Sequence, residues 1–200
     1  MEVEAFIFDI GNVLVRFEPG KAERTLAPLG VKIPDLAALS ALGRRYEVGE
    51  LERAGFLSAL REALGRDLPD ETLSAAWQEI FEPNYPMWDV VAKLHGRYPL
   101  YLLSNTNCLH HEYLEREYPV FEKFADGVFS YRAKMLKPER GIFELAIRQF
   151  GVNPATTIYL DDLPANVEAA RGAGLRAFVY RHEAHDDLLV TLRAQGVQSV

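Results

Sequence analysis

The sequence has little of what a disulfide, a membrane span or a nucleic-acid surface requires. Cys108 is the only cysteine among 200 residues, so no internal disulfide can form and a reducing cytoplasm is the expected location. No apolar run reaches the roughly 18 residues that a membrane-spanning helix needs. Acidic residues outnumber basic ones by 29 to 22, and the resulting formal charge of −7 disfavours nucleic acid as a partner.

The first residues do not have the pattern of a secretory signal either. Met1-Glu2-Val3-Glu4 is acidic where such a signal is basic, and the apolar run that follows is short enough to be a strand. At 48% hydrophobic residues, the chain can build one full-sized core, with or without a smaller second one. We therefore expect a soluble protein of one or two domains.

Most of the chain alternates between strand patterns and helix patterns. The predicted strands are residues 5–8, 100–103, 127–129, 157–160 and 176–180. The predicted helices between and after them are residues 87–94, 109–118, 141–150, 164–171 and 185–194. Strands that alternate with helices favour a parallel sheet covered on both faces, so the predicted fold is α/β with a Rossmann-like core.

Between the first two predicted strands lies a long segment with helical spacing and no strand pattern. Its larger apolar residues recur on two helical stripes. The stripes are Leu51, Phe56, Leu57, Leu60 and Leu64, and then Leu73, Trp77, Ile80 and Phe81. We predict a small α-helical cap at residues 18–83, inserted after the first strand into a core of residues 1–17 and 84–200. Its hinges are expected near Glu18-Pro19 and Pro83-Pro86.

Polar residues follow several of the predicted strands at their carboxyl ends. The first strand is followed by Asp9, the second by Ser104-Asn105 and the fourth by Asp161-Asp162, while Lys137 lies on the loop after the third. In an open parallel sheet, ligands bind at the carboxyl ends of the strands. We therefore expect these carboxylates, the hydroxyl and the ammonium to converge at one edge of the sheet.

This set of side chains suits phosphoryl transfer through an aspartyl phosphate. A carboxylate that attacks a phosphate is repelled by it, so a divalent cation must lie between the two groups. Oxygen ligands such as Asp9 and Asp162 favour Mg²⁺ over zinc. The transition state spreads negative charge over its equatorial oxygens. Ser104, the backbone amide of Asn105 and Lys137 are suitable donors to those oxygens.

The order of these residues resembles the four motifs of the haloacid dehalogenase superfamily. The motifs read Phe8-Asp9-Ile10-Gly11-Asn12-Val13-Leu14, Leu103-Ser104-Asn105-Thr106-Asn107, Lys137-Pro138, and Leu160-Asp161-Asp162 followed by Asn166. The likeness covers nearly the whole chain, and the helical insertion lies where one subclass carries an α-helical cap. The chain resembles in particular bacterial α-glucose-1-phosphate phosphatases and the N-terminal phosphatase domain of soluble epoxide hydrolases. Those relatives also have a stretch similar to Tyr46-Glu47-Val48-Gly49-Glu50.

The resemblance implies a role for each motif residue. Asp9 would be the nucleophile and a magnesium ligand, with the carbonyl of Gly11 and the carboxylate of Asp162 as further ligands. Asp161 and Asn166 would orient metal-bound water and Lys137. Ser104 and Lys137 would hold the phosphoryl group that is transferred.

One position departs from most phosphatases of this superfamily. They place a second aspartate, which acts as acid and base, two residues after the nucleophile, whereas this chain has Gly11. Glycine cannot protonate a leaving alcohol or activate water. The α-glucose-1-phosphate phosphatases share the Asp-x-Gly-Asn form, so a phosphatase is still favoured over the other candidate functions. We expect water, a cap residue or the substrate to supply the proton.

The favoured reaction is hydrolysis of a small phosphomonoester, with sugar phosphates as candidate substrates. The expected partner is thus a small phosphorylated metabolite, and the expected assembly is a monomer or a homodimer. Two alternatives stay open. A 2-haloacid dehalogenase would cleave a carbon–halogen bond without Mg²⁺, and a phosphate- or metabolite-binding protein would have lost turnover together with the acid at position 11.

Overall fold

Ten α-helices and seven strands are found in the part of the chain that the computed structural model describes, residues 2–18, 20–31, 36–198 and 200. The strands are β1 (Ala5–Phe8), β2 (Val15–Phe17), β3 (Phe81–Pro83), β4 (Leu100–Ser104), β5 (Asp126–Phe129), β6 (Thr157–Asp161) and β7 (Arg176–Val179). The helices are α1 (Gly20–Leu26), α2 (Leu36–Glu47), α3 (Arg53–Leu64), α4 (Asp70–Gln78), α5 (Tyr85–Leu94), α6 (Cys108–Glu117), α7 (Ser130–Ala133), α8 (Arg140–Phe150), α9 (Pro164–Gly172) and α10 (His185–Ala194).

A five-stranded sheet forms the centre of the fold, with the strands in the order β5-β4-β1-β6-β7. All neighbouring strands in it are parallel. Along β1, Phe6 and Phe8 belong to one buried cluster, which includes residues of α5, α6 and α10. Ile7 belongs to another cluster, which includes residues of α8 and α9. Helices therefore cover both faces of the sheet, and the predicted α/β, Rossmann-like core is confirmed.

The helices α1 to α4 follow β1 and β2 and have a buried cluster of their own. Tyr46 stacks on Phe56 in this cluster, with ring centroids 4.1 Å apart. Leu60 and Leu64 from the first predicted stripe and Leu73 from the second are also buried there. The helical segment thus packs largely on itself, as its sequence pattern predicts.

The predicted absence of strands from this segment is wrong at its end. Phe81 and Glu82 lie in β3, which pairs antiparallel with β2, so that Val15 faces Pro83 and Phe17 faces Phe81. The two predicted hinge regions therefore meet in a small two-stranded sheet. Pro19 of the predicted entry hinge lies outside the described residues, as do residues 32–35. Within the described residues, no helix combines the length and the apolarity needed to cross a bilayer.

Candidate active site

The sheet positions the predicted nucleophile at the centre of its carboxyl edge. β1 lies between β4 and β6, with Phe8 paired to Leu102 on one side and to Leu160 on the other. Asp9 directly follows β1, and its backbone N–H donates to the Leu160 carbonyl at 2.9 Å. Ser104 and Asp161 are the last residues of the two flanking strands. The three side chains therefore meet at one edge, because parallel strands end on the same side of a sheet.

Lys137 links the acids at this edge. Its Nζ lies 2.8 Å from Asp9 Oδ1 and 2.7 Å from Asp161 Oδ2. It also donates to the Leu103 carbonyl at 3.0 Å and to the Tyr159 hydroxyl at 3.1 Å. Burial disfavours the charged lysine, but the two carboxylates outweigh this effect and raise the pKa of Lys137. The site therefore contains a buried ammonium that stays charged at neutral pH.

The loop that carries Lys137 is fixed by Asn105. The Asn105 side-chain amide donates to the Lys137 carbonyl at 3.0 Å, and its oxygen accepts from the Lys137 N–H at 2.8 Å. These two hydrogen bonds tie the loop after β5 to the end of β4. Asn105 therefore positions Lys137 through its side chain, which the sequence did not predict. The predicted binding of phosphate by the Asn105 backbone amide stays a prediction.

Asp9, Asp161 and Asp162 each offer a carboxylate oxygen, and these three atoms lie within 4.8 Å of one another. Asp161 is fully buried and accepts hydrogen bonds from the Asn166 side chain at 2.9 and 3.1 Å and from the Leu163 N–H at 2.9 Å. The Tyr159 hydroxyl also donates to it. Asp162 accepts a single side-chain hydrogen bond, from Asn12 at 3.0 Å.

The acids fit a hard divalent cation. Three carboxylates converge where Lys137 supplies one positive charge, so the cluster keeps an excess of negative charge. Its donors are oxygens, which suit Mg²⁺ better than the sulfur and nitrogen sets typical of zinc. Because Asp161 already has several partners, Asp9 and Asp162 are the better placed of the three to bind a cation directly.

Burial changes the ionisation of the nucleophile. It raises the pKa of Asp9 from 3.8 to about 6, while the charge of Lys137 lowers it and the charge of Asp161 raises it further. Hydrogen bonds from Lys137 and Ser104 favour the ionised form. Burial also raises the pKa of Asp162. A cation between these acids would favour their charged forms, as Mg²⁺ binding requires.

Gly11 lies against the ring of Phe17. A Cβ atom at position 11 would be 2.8 Å from Cε2 of that ring, closer than two carbons can pack without movement. Asn12, the next residue, has a left-handed backbone with φ of 52°. The turn after the nucleophile therefore lies in close contact with β2, and a side chain at position 11 would require the exposed Phe17 ring to move.

The structure brings most of the predicted site residues together, and their chemical roles stay predictions. Five of them lie together at the carboxyl edge of the sheet: Asp9, Ser104, Lys137, Asp161 and Asp162. Asn166 contacts Asp161 and reaches Lys137 only through it. Nothing in the geometry tests the predicted role of the Gly11 carbonyl.

Two contributors to the site were missed. Tyr159 contacts both Lys137 and Asp161. It precedes Asp161 by two residues on a strand, so the side-chain period of two was a usable signal. Asn12 holds Asp162 across 150 positions of sequence, which no local pattern indicates.

Two curated phosphatases and a solved structure are similar to most of this chain. D-ribitol-5-phosphate phosphatase of Bacteroides thetaiotaomicron is 27% identical over 187 residues, covering 88% of this chain and 91% of the relative. Sesquiterpene phosphatase astK of Aspergillus oryzae is 26% identical over 179 residues, covering 86% and 87%. A crystal structure of a haloacid dehalogenase family enzyme from B. thetaiotaomicron, in complex with magnesium and inorganic phosphate, has a TM-score of 0.78 at 26% identity, covering 90% and 95%.

The family model described as haloacid dehalogenase-like hydrolase matches residues 3–174, which is most of the sequence and includes all the motif residues. The likeness to α-glucose-1-phosphate phosphatases and to soluble epoxide hydrolases stays a prediction. The superfamily inferred from the four motifs is confirmed: this chain belongs to the haloacid dehalogenase-like hydrolases.

Proposed function

We propose that this protein is a magnesium-dependent phosphatase that hydrolyses small phosphomonoesters through an aspartyl phosphate on Asp9. The observation that carries the proposal is the convergence of Asp9 and Asp162 within one carboxylate cluster, with the Lys137 ammonium 2.8 Å from Asp9. A nucleophilic carboxylate, a cation site and a buried ammonium are the groups that phosphoryl transfer to an aspartate requires.

Each residue would act at a defined point. Asp9, the Gly11 carbonyl and Asp162 would hold Mg²⁺, whose charge lets a carboxylate approach an anionic phosphate. Asp9 would attack the phosphorus, and water would then release the phosphate from Asp9. Ser104, Lys137 and the Asn105 amide would donate to the phosphoryl oxygens as negative charge spreads over them. Asp161, held by Tyr159 and Asn166, would keep Lys137 in place.

The relatives support this reaction class. One is named as a phosphatase of a phosphorylated alditol, another as a phosphatase of sesquiterpenes, and the related crystal structure contains both magnesium and phosphate. Small phosphorylated metabolites are therefore the proposed substrates, with sugar and alditol phosphates as the first candidates. The protein would work as a monomer or a homodimer.

The helical segment would serve as the cap. We propose residues 18–83 as a cap that covers the carboxyl edge of the sheet and contacts the leaving group, with residues 1–17 and 84–200 as the catalytic core. The short β2–β3 sheet joins the two, and a change of angle at this junction would open the site for substrate and close it against water.

A cavity in the helical segment favours a second class of substrate, phosphates of apolar alcohols. It has a volume of about 260 Å³, and Leu26, Leu60, Leu64 and Ala76 are among its mainly apolar lining residues. Phe17 also lines it, and the ring of Phe17 is the one that contacts Gly11. The cavity therefore lies one aromatic ring away from the turn that follows the nucleophile, where the tail of an isoprenoid phosphate would be buried.

A substrate panel tests the function and separates the alternatives. The purified protein is given ribitol 5-phosphate, several sugar phosphates, farnesyl monophosphate and p-nitrophenyl phosphate, each with Mg²⁺ or with EDTA. We expect phosphate release that EDTA abolishes and that Asp9→Asn eliminates. Halide release from a 2-haloacid without Mg²⁺ would select the dehalogenase. Phosphate or Mg²⁺ binding without any turnover would select the binding protein.

A substitution in the cavity tests whether it binds the apolar tail of a substrate. Ala76→Phe would place a larger side chain in the cavity, whose lining residues do not include the acids of the site. Because each buried methylene contributes about 0.8 kcal/mol, we expect a loss of more than about tenfold in kcat/KM for farnesyl monophosphate. Turnover of ribitol 5-phosphate should not change. Equal effects on both substrates would exclude the cavity as a binding site for the tail.

A further inference from the structure

We propose that Glu47 is the general acid and base of this enzyme and replaces the aspartate that position 11 lacks. The inference rests on the proposed phosphatase function. Glu47 is the last residue of α2 and comes from the helical segment, outside the four motifs. Three observations support it: the way its backbone is held, the lack of a partner for its carboxylate among the described residues, and the electrostatic effect of Asp9 on it.

The backbone of Glu47 is attached to the catalytic edge of the sheet. The Ser130 hydroxyl donates to the Glu47 carbonyl at 2.6 Å. The same hydroxyl oxygen accepts from the Thr106 N–H at 2.9 Å. Thr106 lies two residues after Ser104, at the end of β4. One buried serine therefore ties Glu47 to the loop that carries the predicted phosphate donors.

The turn after Glu47 docks on the same part of the core. Gly49 has a left-handed backbone with φ of 70°, and a Cβ there would overlap the Tyr131 carbonyl oxygen. The Lys134 ammonium donates to the Gly49 carbonyl. Only glycine fits this contact without strain. The segment that presents Glu47 is thus held at two places, and its position does not depend on a flexible loop.

The carboxylate of Glu47 is half-buried. Among the described residues, none forms a hydrogen bond or an ion pair with it. Glu50, three residues later in the same turn, is exposed and paired with Arg45 at 3.2 Å. A half-buried carboxylate without a protein partner is open to water and to a bound substrate.

The charge of Asp9 acts on the ionisation of Glu47. Burial raises the pKa of Glu47 from 4.5 to about 7, the charge of Arg44 lowers it, and the charge of Asp9 raises it. Arg44 and Asp9 are the charged groups that act on it. A carboxyl group with a pKa near neutrality can both give and take a proton at physiological pH.

Glu47 gives up a proton in the first step of the reaction and regains one in the second. In the first, Asp9 forms a bond to phosphorus, the bond to the leaving oxygen breaks, and that oxygen takes the proton of Glu47 to leave as an alcohol. In the second, the Glu47 carboxylate takes a proton from the attacking water as its oxygen bonds to phosphorus. The bond from phosphorus to Asp9 then breaks. Phosphate leaves, and Glu47 is protonated again.

Leaving groups of different basicity test this role. A p-nitrophenolate leaves without a proton, whereas the alkoxide of ribitol 5-phosphate needs one. For Glu47→Gln, we expect kcat/KM to fall by about 10²- to 10⁴-fold with ribitol 5-phosphate, or with the best alkyl phosphate of the panel, and only a few-fold with p-nitrophenyl phosphate. With p-nitrophenyl phosphate the variant should release a burst of product equal to the enzyme concentration and then turn over slowly, because water is no longer activated.

Two variants serve as controls. Glu50→Gln changes the exposed neighbour in the same turn and should leave both substrates unaffected. Glu47→Asp keeps a carboxylate and should recover part of the alkyl phosphate activity. Equal losses on both substrates for Glu47→Gln, or no loss on either, would overturn the role of Glu47 while leaving the phosphatase in place. If the wild-type protein hydrolyses neither substrate with Mg²⁺, the proposed function itself fails and this role falls with it.

Discussion

Replacing Asp9 with asparagine should abolish turnover and also make the metal-free protein more stable above neutral pH. Asp9 lies in a cluster where Lys137 supplies one positive charge within 2.8 Å of two buried carboxylates, Asp9 and Asp161. Asparagine removes one negative charge and keeps an oxygen that can accept from Lys137. The lysine then remains paired with Asp161 at 2.7 Å, and the buried pair is balanced.

The size of the effect follows from the ionisation of Asp9. Burial, opposed by Lys137, raises its pKa from 3.8 to about 6. A raised pKa means that the folded protein binds the proton more tightly than the unfolded chain does. The ionised form therefore costs up to about 3 kcal/mol of stability, which is absent below about pH 4 and complete above about pH 7. For a chain of this size, that corresponds to a rise in Tm of about 6–12 °C in the variant.

Thermal unfolding in EDTA, followed for the wild-type protein and Asp9→Asn from about pH 4 to pH 8, measures the difference. Asp89→Asn, at an exposed position of α5, is the matched control and should have a Tm close to that of the wild type. A variant no more stable than the wild type at the highest pH would refute the reasoning, as would a difference that does not shrink in acid. Added Mg²⁺ should stabilise the wild-type protein more than the variant.

Three further substitutions test other contacts. Lys137→Met should lower kcat/KM for p-nitrophenyl phosphate by at least about 10²-fold, because a donor to the transition state is lost. A loss under tenfold in steady-state kinetics would contradict this role of Lys137. A Cβ at position 11 lies 2.8 Å from the Phe17 ring, so Gly11→Asp should restore alkyl phosphate hydrolysis to Glu47→Gln more fully when combined with Phe17→Ala. Equal rescue without the second change would show that the ring is no obstacle. Gly49→Ala should lower the free energy of unfolding, measured in urea, by about 1–3 kcal/mol. Gly55→Ala, where an added Cβ meets open space, should not destabilise the protein. Equal results for the two variants would show that the turn at Gly49 does not require glycine.

The sheet and its acidic edge could be predicted because both depend on local patterns. β1 is a short apolar run followed by Asp9, and β6 is another followed by a second acid. Once the strands are parallel, their carboxyl ends must meet, so the convergence of Asp9 and Asp162 needs no further information. Lys137 was placed by its order in the chain and by resemblance, since nothing local distinguishes it from a surface lysine.

The small sheet and the contribution of the helical segment could not be predicted in the same way. β2 and β3 have three residues each, too few to show alternation. They form because the chain leaves and re-enters the core at the same place, where the two segments pair. The position of Glu47 depends on a hydrogen bond to Ser130, 83 positions away. Such contacts arise from tertiary packing, which leaves no period in the sequence. The cap residues that we propose to contact the substrate belong to this second kind.

The covalent step on Asp9 is tested most directly by trapping the intermediate. Acid quenching of the Glu47→Gln variant during turnover of p-nitrophenyl phosphate with Mg²⁺, followed by peptide mass spectrometry, locates any phosphoryl group on the chain. We expect a phosphorylated peptide that contains Asp9 and is absent in the Asp9→Asn variant. Phosphate release by the wild-type protein with no phosphorylated peptide in the quenched variant, or with the phosphoryl group on another residue, would contradict it.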